Sequence, residues 1–357
     1  MSKKQILAVT TGVLSLALGV FAVKLFWFSA DAVGGVDDPP PPIESVDLNS
    51  VGENISGPYV HKNLTVFLIH GKDKLTGKTP VTLEEALEKR IVTVHETGDV
   101  NELQVENISD KEEVYIQAGD IVKGGRQDRV LAVDLIVPAR SGRMPIDSFC
   151  VESGRWSRRG NEPNVRFDSS TETVATKDLK LAAKQSKDQG QVWARVEQAK
   201  EKLTAATNAN VSSNASNSSL PLALENHRVV SNAGEYTKAL ADIVKGKPDV
   251  IGFVFAINGE INSADVYGSS SLFQKLWRRL LKATAIEAVA ESHGENKNQA
   301  VTAEQMKTFL SETAAAKIAE QRAVTERITM VTRETENTVL IESHDRGVML
   351  HGNFLKL

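Results

Sequence analysis

Short β-rich runs separated by turn residues fill the first half of the chain and restrict the folds that it can adopt. Residues 64–70, 91–96 and 129–137 are such runs, separated by Asn, Asp, Gly, Ser or Pro. Between residues 173 and 204 the apolar side chains recur every three or four positions, which is typical of helices. Strand-like runs return near the end of the chain. This order predicts an α+β fold, with a mainly antiparallel or mixed sheet and packed helices in a single elaborated domain over residues 57–357.

Local signals predict where individual elements begin and turn. Thr82 followed three residues later by Glu85 forms a capping box, so a short helix is predicted to begin there. Asn258-Gly259 accommodates the positive φ angles of a type I′ turn and predicts a hairpin. Residues 208–219 are Asn, Ser and Ala with a single Val. Because so little apolar surface can be buried there, a disordered loop is predicted at about residues 208–220.

One later segment combines an apolar stripe with a basic face. The apolar side chains recur at helical spacing, and cationic side chains lie between them. A solvated basic face is favoured over contact with a membrane or nucleic acid, because surface helices often carry such faces. The apolar positions are Leu272, Phe273, Leu276, Trp277, Leu280 and Leu281, and the basic ones are Lys275, Arg278, Arg279 and Lys282.

The first thirty residues differ from the rest of the chain. Lys3 and Lys4 precede a largely apolar stretch at residues 6–28, which is the arrangement of a signal peptide or a membrane anchor within residues 1–30. Consecutive prolines in residues 31–56 exclude a helix or a central strand, so a Pro-rich linker is predicted. The sequence therefore predicts export, with the domain either periplasmic or extracellular, or anchored in the membrane by residues 6–28.

Charge and cysteine content narrow the function classes. The net charge of -4 and pI of about 6.0 argue against a general nucleic-acid-binding protein. Cys150 is the single cysteine, so no disulfide can form within the chain. The seven histidines include no closely spaced pair of the kind that binds zinc. No metal site is predicted, and the sequence indicates no particular cofactor.

Two segments, residues 119–129 and 149–156, are the most typical of a functional site. Both concentrate glycines, arginines and carboxylates beside predicted strands, where a rigid scaffold can hold polar groups. Lys123-Gly124-Gly125-Arg126 places flexible backbone beside cationic side chains and can cradle a phosphate or a carboxylate. The alternative is a glycine turn flanked by surface charges, since no Walker or dinucleotide-binding pattern occurs.

If residues 126–129 are extended, their side chains alternate between two sides. Arg126 then faces the same way as Asp128, and Gln127 faces the same way as Arg129, so only one pair can enter a given site. Asp128 is a candidate catalytic carboxylate, and a salt bridge to an arginine is the alternative.

The second segment adds further candidates. Glu152 is a candidate general acid or base, or the partner of Arg155 in a bidentate ion pair. Trp156 can stack on a planar ligand beside Arg155, or it can pack in the core. Cys150 is predicted to be a buried apolar residue rather than a nucleophile, because the neighbouring Glu152 disfavours the thiolate.

Four short segments together carry a family signature. They are Gly-Gly-Arg-Gln-Asp-Arg at 124–129, Phe-Cys-Val-Glu-Ser-Gly-Arg-Trp at 149–156, Gln-Val-Trp at 191–193 and Ile-Asn-Gly at 257–259. With Asp265 they resemble the ARG and rhodanese-phosphatase-superfamily-associated protein domain, over roughly residues 59–286. The resemblance implies an association, by gene context, with ADP-ribose and NAD-linked systems, and it implies no catalytic residues.

Three functional hypotheses follow. The first is an extracytoplasmic ligand-binding or interaction domain that receives an anionic or planar small molecule. The alternative is a hydrolase of a glycosidic or ADP-ribosyl bond that uses Asp128 and Glu152 as paired carboxylates. In the third, the basic motif only ties the sheet to the helices. The candidate ligand-binding residues are Lys123, Gly124, Gly125, Arg126, Gln127, Arg129, Arg155 and Trp156, and no nucleic-acid partner is expected.

Overall fold

The described part of the chain begins after the N-terminal segment. The computed structural model describes residues 54–156, 159, 167–292 and 300–357, with the backbone alone for 169–174 and 185–186. The predicted signal peptide or anchor and nearly all of the predicted linker lie outside these residues. Within them, no helix is both long enough and apolar enough to cross a membrane.

Strands outnumber helices in the described residues, and all of them belong to one compact unit. The strands are β1 (Ile55–His61), β2 (Leu64–His70), β3 (Val81–Thr82), β4 (Val92–Glu96), β5 (Glu102–Asn107), β6 (Val114–Ile116), β7 (Asp120–Gly124), β8 (Arg129–Leu131), β9 (Leu135–Val137), β10 (Arg143–Cys150), β11 (Phe167–Val174), β12 (Val250–Ile257), β13 (Glu260–Tyr267), β14 (Lys317–Ala323), β15 (Ile328–Glu334), β16 (Thr338–Asp345) and β17 (Val348–Lys356). The helices are α1 (Leu83–Glu88), α2 (Lys177–Leu181), α3 (Gln189–Thr207), α4 (Leu220–Leu224), α5 (His227–Leu240), α6 (Ser270–Ala290) and α7 (Ala303–Ala314). A π-helical turn, Ala182–Ser186, continues α2, and a 3₁₀ turn, Ala241–Val244, follows α5.

Three sheets organise the fold. The largest has eight strands in the order β1-β2-β12-β13-β17-β16-β15-β14, and neighbouring strands are antiparallel throughout. A six-stranded sheet has the order β11-β7-β8-β10-β5-β4, and a three-stranded sheet has the order β3-β6-β9. Only β3 and β6 run parallel among the described pairs. The α+β prediction, with mainly antiparallel sheets and packed helices, is therefore confirmed.

Helices cover both faces of the eight-stranded sheet. On one face, Phe253 of β12 packs edge-on against Trp277 of α6, with ring centroids 5.5 Å apart. On the other face, Phe309 of α7 packs against Phe354 of β17. Because both faces are covered, every residue of β12 is buried. This sheet carries Asp265 on β13 and His351 on β17, whose buried contacts are described below.

The local signals for a helix start and a hairpin are confirmed. Thr82 accepts a hydrogen bond from the backbone amide of Glu85, and the Glu85 carboxylate accepts one from the amide of Thr82. Asn258 and Gly259 have φ angles of 54° and 81° and join β12 to β13. Both motifs act within a few residues, which is why the sequence alone identifies them.

The basic face of α6 is only partly solvated. The apolar stripe is buried as predicted, and Lys275 and Arg278 are exposed. Arg279, however, is only 5% exposed, and its guanidinium lies 3.0 Å from the Asp120 carboxylate of β7. The expectation of a wholly solvated basic face is wrong at Arg279. Helix α6 also packs against β11 of the six-stranded sheet, and this contact covers the side of the helix that carries Arg279.

Residues 208–219 differ from the expected disordered loop. They connect α3 to α4 and pack against the domain, with Val211 and Ser219 each only 1% exposed. Ser219 caps α4 by accepting a hydrogen bond from the amide of Leu222. Lys200 of α3 donates to the Asn217 carbonyl. The short polar side chains form no core of their own, so hydrogen bonds to the surrounding domain hold the segment instead.

Candidate functional site

The two candidate segments meet in the structure. Strand β8 pairs with β10 so that Arg129 lies opposite Cys150 and Val130 opposite Phe149. The amide of Val151 then donates to the carbonyl of Asp128, which extends the contact beyond the last paired residues. The turn before β8 and the bend after β10 are therefore neighbours, and their side chains form two separate groups on opposite sides of the pairing.

Asp128 is enclosed and fully engaged on the first side. Its side chain is 0% exposed and accepts hydrogen bonds from the amide of Gly124 at 2.9 Å and the hydroxyl of Ser219 at 2.7 Å. Both terminal nitrogens of Arg159 donate to its two oxygens, at 3.0 and 3.2 Å. Asp128 therefore forms a buried salt bridge with Arg159.

Glu152 shares the same arginine. Nε and Nη2 of Arg155 lie 2.8 and 2.7 Å from the two oxygens of the Glu152 carboxylate. Nη1 of Arg159 lies 3.4 Å from Oε1 of the same carboxylate. Burial opposes ionisation of Glu152, but the hydrogen bond and charge of Arg155 prevail and lower the pKa of its carboxyl. We call Asp128, Glu152, Arg155 and Arg159 the ion-pair cluster. Because Arg159 bridges the two carboxylates, it fills the space that a glycosidic bond between them requires.

Arg155 also holds the glycine turn. Its terminal nitrogens donate to the carbonyl oxygens of Gly125 at 2.9 Å and Gly124 at 3.1 Å. Gly125 has a φ of 52°, and a Cβ atom there would lie 2.3 Å from the Phe167 ring and 2.5 Å from the Glu96 carboxylate. Only glycine fits this position without displacing its neighbours. The two glycines thus present carbonyl oxygens to Arg155, and an anion has no access to that side of the turn.

The remaining cationic and aromatic candidates lie near the surface. Lys123 forms an ion pair with Glu225 at the end of α4, at 2.6 Å. Arg126 is exposed whereas Asp128 is fully buried, and residues 125–127 form a bend instead of the extended backbone assumed for residues 126–129. The expected pairing of Arg126 with Asp128 is therefore wrong. Trp156 is 57% exposed, so it does not pack in the core.

The second side carries a different group, which we call the Arg129 face: Gln127, Arg129, Ser148 and Cys150. Arg129 and Gln127 contact each other, with Nη1 of the arginine 3.4 Å from the Gln127 amide oxygen. Gln127 and Arg129 therefore lie on the same side of the β8–β10 pairing. Ser148 precedes Cys150 by two residues in β10, so both lie on the face that Arg129 occupies.

Three polar atoms of the Arg129 face have no hydrogen-bond partner among the described residues. They are Nε2 of Gln127, Nε of Arg129 and Oγ of Ser148. All three residues are at most 1% exposed, so bulk water does not reach these atoms. The nearest carboxylate is Glu96, 3.6 Å from Nη2 of Arg129, and its side chain is 22% exposed. The buried guanidinium of Arg129 therefore shares this face with two further unsatisfied groups, and the partly exposed Glu96 lies beside it.

Cys150 has the environment of a core residue. It is 1% exposed, and burial raises the pKa of its thiol. The side chain of Gln189, the first residue of α3, forms two hydrogen bonds with the backbone of Cys150. It accepts one from the Cys150 amide and donates one to the Cys150 carbonyl, both at 2.8 Å. The thiol is held in its protonated form, which agrees with a packing role for this residue.

A second buried polar group lies between the eight-stranded sheet and the smaller sheets. We call it the His351 network: Lys180, Lys184, Asp134, Asp265 and His351. The two ring nitrogens of His351 contact Asp134 at 3.1 Å and Asp265 at 2.9 Å, and Nζ of Lys180 lies 3.4 Å from Asp265. The Tyr267 ring stacks on the imidazole with centroids 4.6 Å apart. Since carboxylates accept at both nitrogens, the imidazolium form fits this arrangement.

The charges of the His351 network reinforce one another. Although burial opposes it, His351 holds the pKa of the Asp134 carboxyl well below its usual range. Lys180 and His351 likewise lower the pKa of Asp265 to about 2, and Asp134 raises the pKa of His351. Burial lowers the pKa of Lys184 to about 8. Lys184 stands in the π-helical turn, is 5% exposed, and its Nζ has no hydrogen-bond partner among the described residues.

Sequence reasoning missed this network, Arg159 and Ser219. His351 and Asp265 lie on predicted strands, but their partners come from residues 134, 180 and 184, far away along the chain. One signal was available: Asp134 interrupts an otherwise apolar run, and His351 lies in another. A charged residue at an inward-facing strand position indicates a buried partner without naming it.

The described residues form an α+β protein with three sheets. It contains an ion-pair cluster in which each carboxylate has an arginine partner, and a buried face with Arg129 on the other side of the β8–β10 pairing. They contain no group of His, Cys, Asp and Glu side chains arranged to hold a metal ion. The family model of the ARG and Rhodanese-Phosphatase-superfamily-associated Protein domain matches residues 53–355, so the chain belongs to this family. No curated protein and no solved structure matches the chain.

Proposed function

We propose that this protein is a ligand-binding domain that receives the anionic group of a small molecule against the Arg129 face. The observation that carries the proposal is a set of three buried polar atoms without a partner among the described residues, one of which is Nε of the Arg129 guanidinium itself. A buried donor without an acceptor costs about 1–3 kcal/mol, so leaving several together is expensive unless a ligand satisfies them.

The hydrogen-bond donors of the Arg129 face favour an anionic ligand. Arg129 and Gln127 offer N–H donors, and Ser148 offers a hydroxyl that donates or accepts. Phosphate and carboxylate oxygens are the acceptors that a guanidinium edge binds best. Trp156 is exposed, so its ring is available to stack on a planar group of a ligand.

The ion-pair cluster plays a supporting role in this proposal. Its buried ion pairs fix the turn from which Gln127 and Arg129 extend, and a fixed scaffold reduces the entropy that a ligand must overcome on binding. The hydrolase hypothesis finds less support, because Arg159 occupies the space between Asp128 and Glu152. An exported or membrane-anchored location, which depends on residues 6–28, is retained as part of the proposal.

Calorimetric and thermal-shift titrations of the full chain test the proposal. ADP-ribose, NAD and inorganic phosphate are the probes, since family resemblance associates the domain with ADP-ribose and NAD-linked systems. We expect a phosphate-containing probe to raise the melting temperature of the wild type. Gln127→Glu abolishes this shift, because its carboxylate pairs with Arg129 in place of the ligand.

Arg126→Gln is the matched control, since Arg126 is exposed and lies one residue from Gln127. Binding that survives in Arg126→Gln and disappears in Gln127→Glu supports the Arg129 face. Binding lost in Arg126→Gln and kept in Gln127→Glu moves the site to the surface. No stabilisation of the wild type by any of the three probes overturns the proposal.

A further inference from the structure

A polar cavity lies at the tip of the β12–β13 hairpin. Its volume is about 420 Å³, within the range of about 300–1,000 Å³ that is usual for small-molecule sites. The start of α2, the middle of α3 and the end of α6 form its walls. Its lining residues are Lys177, Asp178, Lys202, Ile257, Asn258, Glu260, Ile261, Asn262, Glu287 and Glu291. We call it the hairpin-tip cavity.

Asn262 supplies an unsatisfied acceptor in this cavity. The residue is only 8% exposed, and its Oδ1 has no hydrogen-bond partner among the described residues. Its Nδ2 donates to Oε1 of Glu287 at 2.8 Å, which fixes the orientation of the amide. Glu287 also accepts from the backbone amide of Lys177 at 3.3 Å. An amide oxygen and a carboxylate therefore stand side by side in the wall.

The electrostatics of the cavity favour a positive ligand. Four carboxylates and two ammonium groups line it, and the ammonium of Lys202 is held by Glu291 at 2.5 Å. Glu287 and Glu291 also stand at the C-terminal end of α6, a 21-residue helix whose dipole places partial negative charge there. Among the described lining residues, carboxylates therefore outnumber ammonium groups.

We propose that the hairpin-tip cavity binds a small organic cation through an ammonium group that donates to Oδ1 of Asn262 and to the Glu287 carboxylate. The site goes beyond the proposed anion-binding function, since it lies on other elements and has the opposite charge. An ammonium group brings three donors, which suits a wall that presents an unsatisfied oxygen beside a carboxylate. A charge-assisted hydrogen bond in a partly desolvated cavity supplies both affinity and selectivity for the charged ligand over a neutral one.

Calorimetric titration of the full chain with 1,4-diaminobutane tests this inference. 1,4-Butanediol has the same length and no charge, so it serves as the matched probe, and sodium chloride at equal ionic strength controls for screening. We expect the diamine to bind and the diol to bind at least about tenfold more weakly, which corresponds to the loss of a charged hydrogen-bond donor.

Variants identify the cavity as the site. Glu287→Gln keeps the shape of the side chain and weakens diamine binding by about tenfold, and Asn262→Ala weakens it by a similar factor. Glu312→Gln is the control, because Glu312 is an exposed carboxylate of α7 in another part of the fold. Absence of diamine binding to the wild type, equal binding of diol and diamine, or equal diamine affinity in Glu287→Gln and Glu312→Gln each overturns the inference.

Discussion

The ion-pair cluster and the His351 network are both buried and charged, but they differ in whether every charged group has a hydrogen-bonded partner. In the ion-pair cluster each carboxylate meets an arginine, and Arg159 serves both. In the His351 network the two carboxylates meet His351 and Lys180, while Lys184 is left without a hydrogen-bond partner among the described residues. In the first region each charged group has a hydrogen-bonded partner of opposite charge, whereas the second contains an ammonium group that is buried without a hydrogen bond to the described part of the chain.

The difference has an energetic meaning. Removing one partner from a complete buried cluster leaves a bare charge and is costly, whereas removing an unpartnered charge relieves a cost. The same kind of substitution, arginine or lysine to methionine, should therefore have opposite effects on the free energy of unfolding in the two regions.

Arg159→Met gives the largest expected effect. It leaves Asp128 and Glu152 with less compensation in an environment that excludes water, and we expect a loss of about 3–5 kcal/mol in the free energy of unfolding. Chemical denaturation at pH 7 measures it. Arg346→Gln, in the exposed turn between β16 and β17, is the control and should change stability by less than about 0.5 kcal/mol. A similarly small loss in Arg159→Met would mean that the cluster does not hold the two segments together.

Lys184→Met should stabilise the protein. The pKa of Lys184 falls from 10.5 to about 8 on folding, so keeping it protonated at pH 7 costs about 3 kcal/mol that the variant avoids. The folded state binds fewer protons than the unfolded state between these values, so the cost is complete below pH 8 and is relieved as pH rises toward 10.5. The stability gain should shrink over the same interval, and denaturation at a series of pH values measures this trend.

Lys180→Met, one helical turn earlier, sharpens the test because Lys180 is paired with Asp265. This variant should destabilise the protein at pH 7 by leaving a buried carboxylate with less compensation. Equal effects of the two lysine substitutions would show that the two ammonium groups have the same environment, and would contradict the account of the network.

Trp156→Ala is expected to have the smallest effect on stability. Its side chain is 57% exposed, so its truncation should cost less than about 0.5 kcal/mol. Trp277→Ala is the comparison, because Trp277 is 2% exposed and packs against Phe253 and Phe273, and a loss of about 3–5 kcal/mol is expected. Thermal and chemical denaturation measure both. A large loss in Trp156→Ala would assign this side chain to packing rather than to ligand contact.

The sequence predicted most reliably what depends on neighbouring residues. The capping box at Thr82 and the Asn258-Gly259 turn each involve residues within a few positions, and both are confirmed. The expectation that Arg126 faces the same way as Asp128 was wrong, because residues 125–127 form a bend and not extended backbone.

The remaining contacts of the site could not be predicted, because they join residues that are far apart in the chain. Ser219 lies 91 residues from Asp128, and His351 lies 217 residues from Asp134, so no local pattern pairs them. Arg279 was expected on a solvated face, but it is buried. Helical spacing shows which side of a helix is polar, but it does not show whether another element of the fold covers that side. Composition similarly suggested disorder for residues 208–219, although hydrogen bonds to the domain hold Ser219 in a buried position.

The most direct test of the anion-binding proposal is a crystal structure of the full chain grown with ADP-ribose or inorganic phosphate. The account predicts electron density for an anionic group within about 3 Å of Nε of Arg129, Nε2 of Gln127 and Oγ of Ser148. Finding these three atoms bonded only to protein groups or to water, with the probe absent or bound elsewhere, would contradict it.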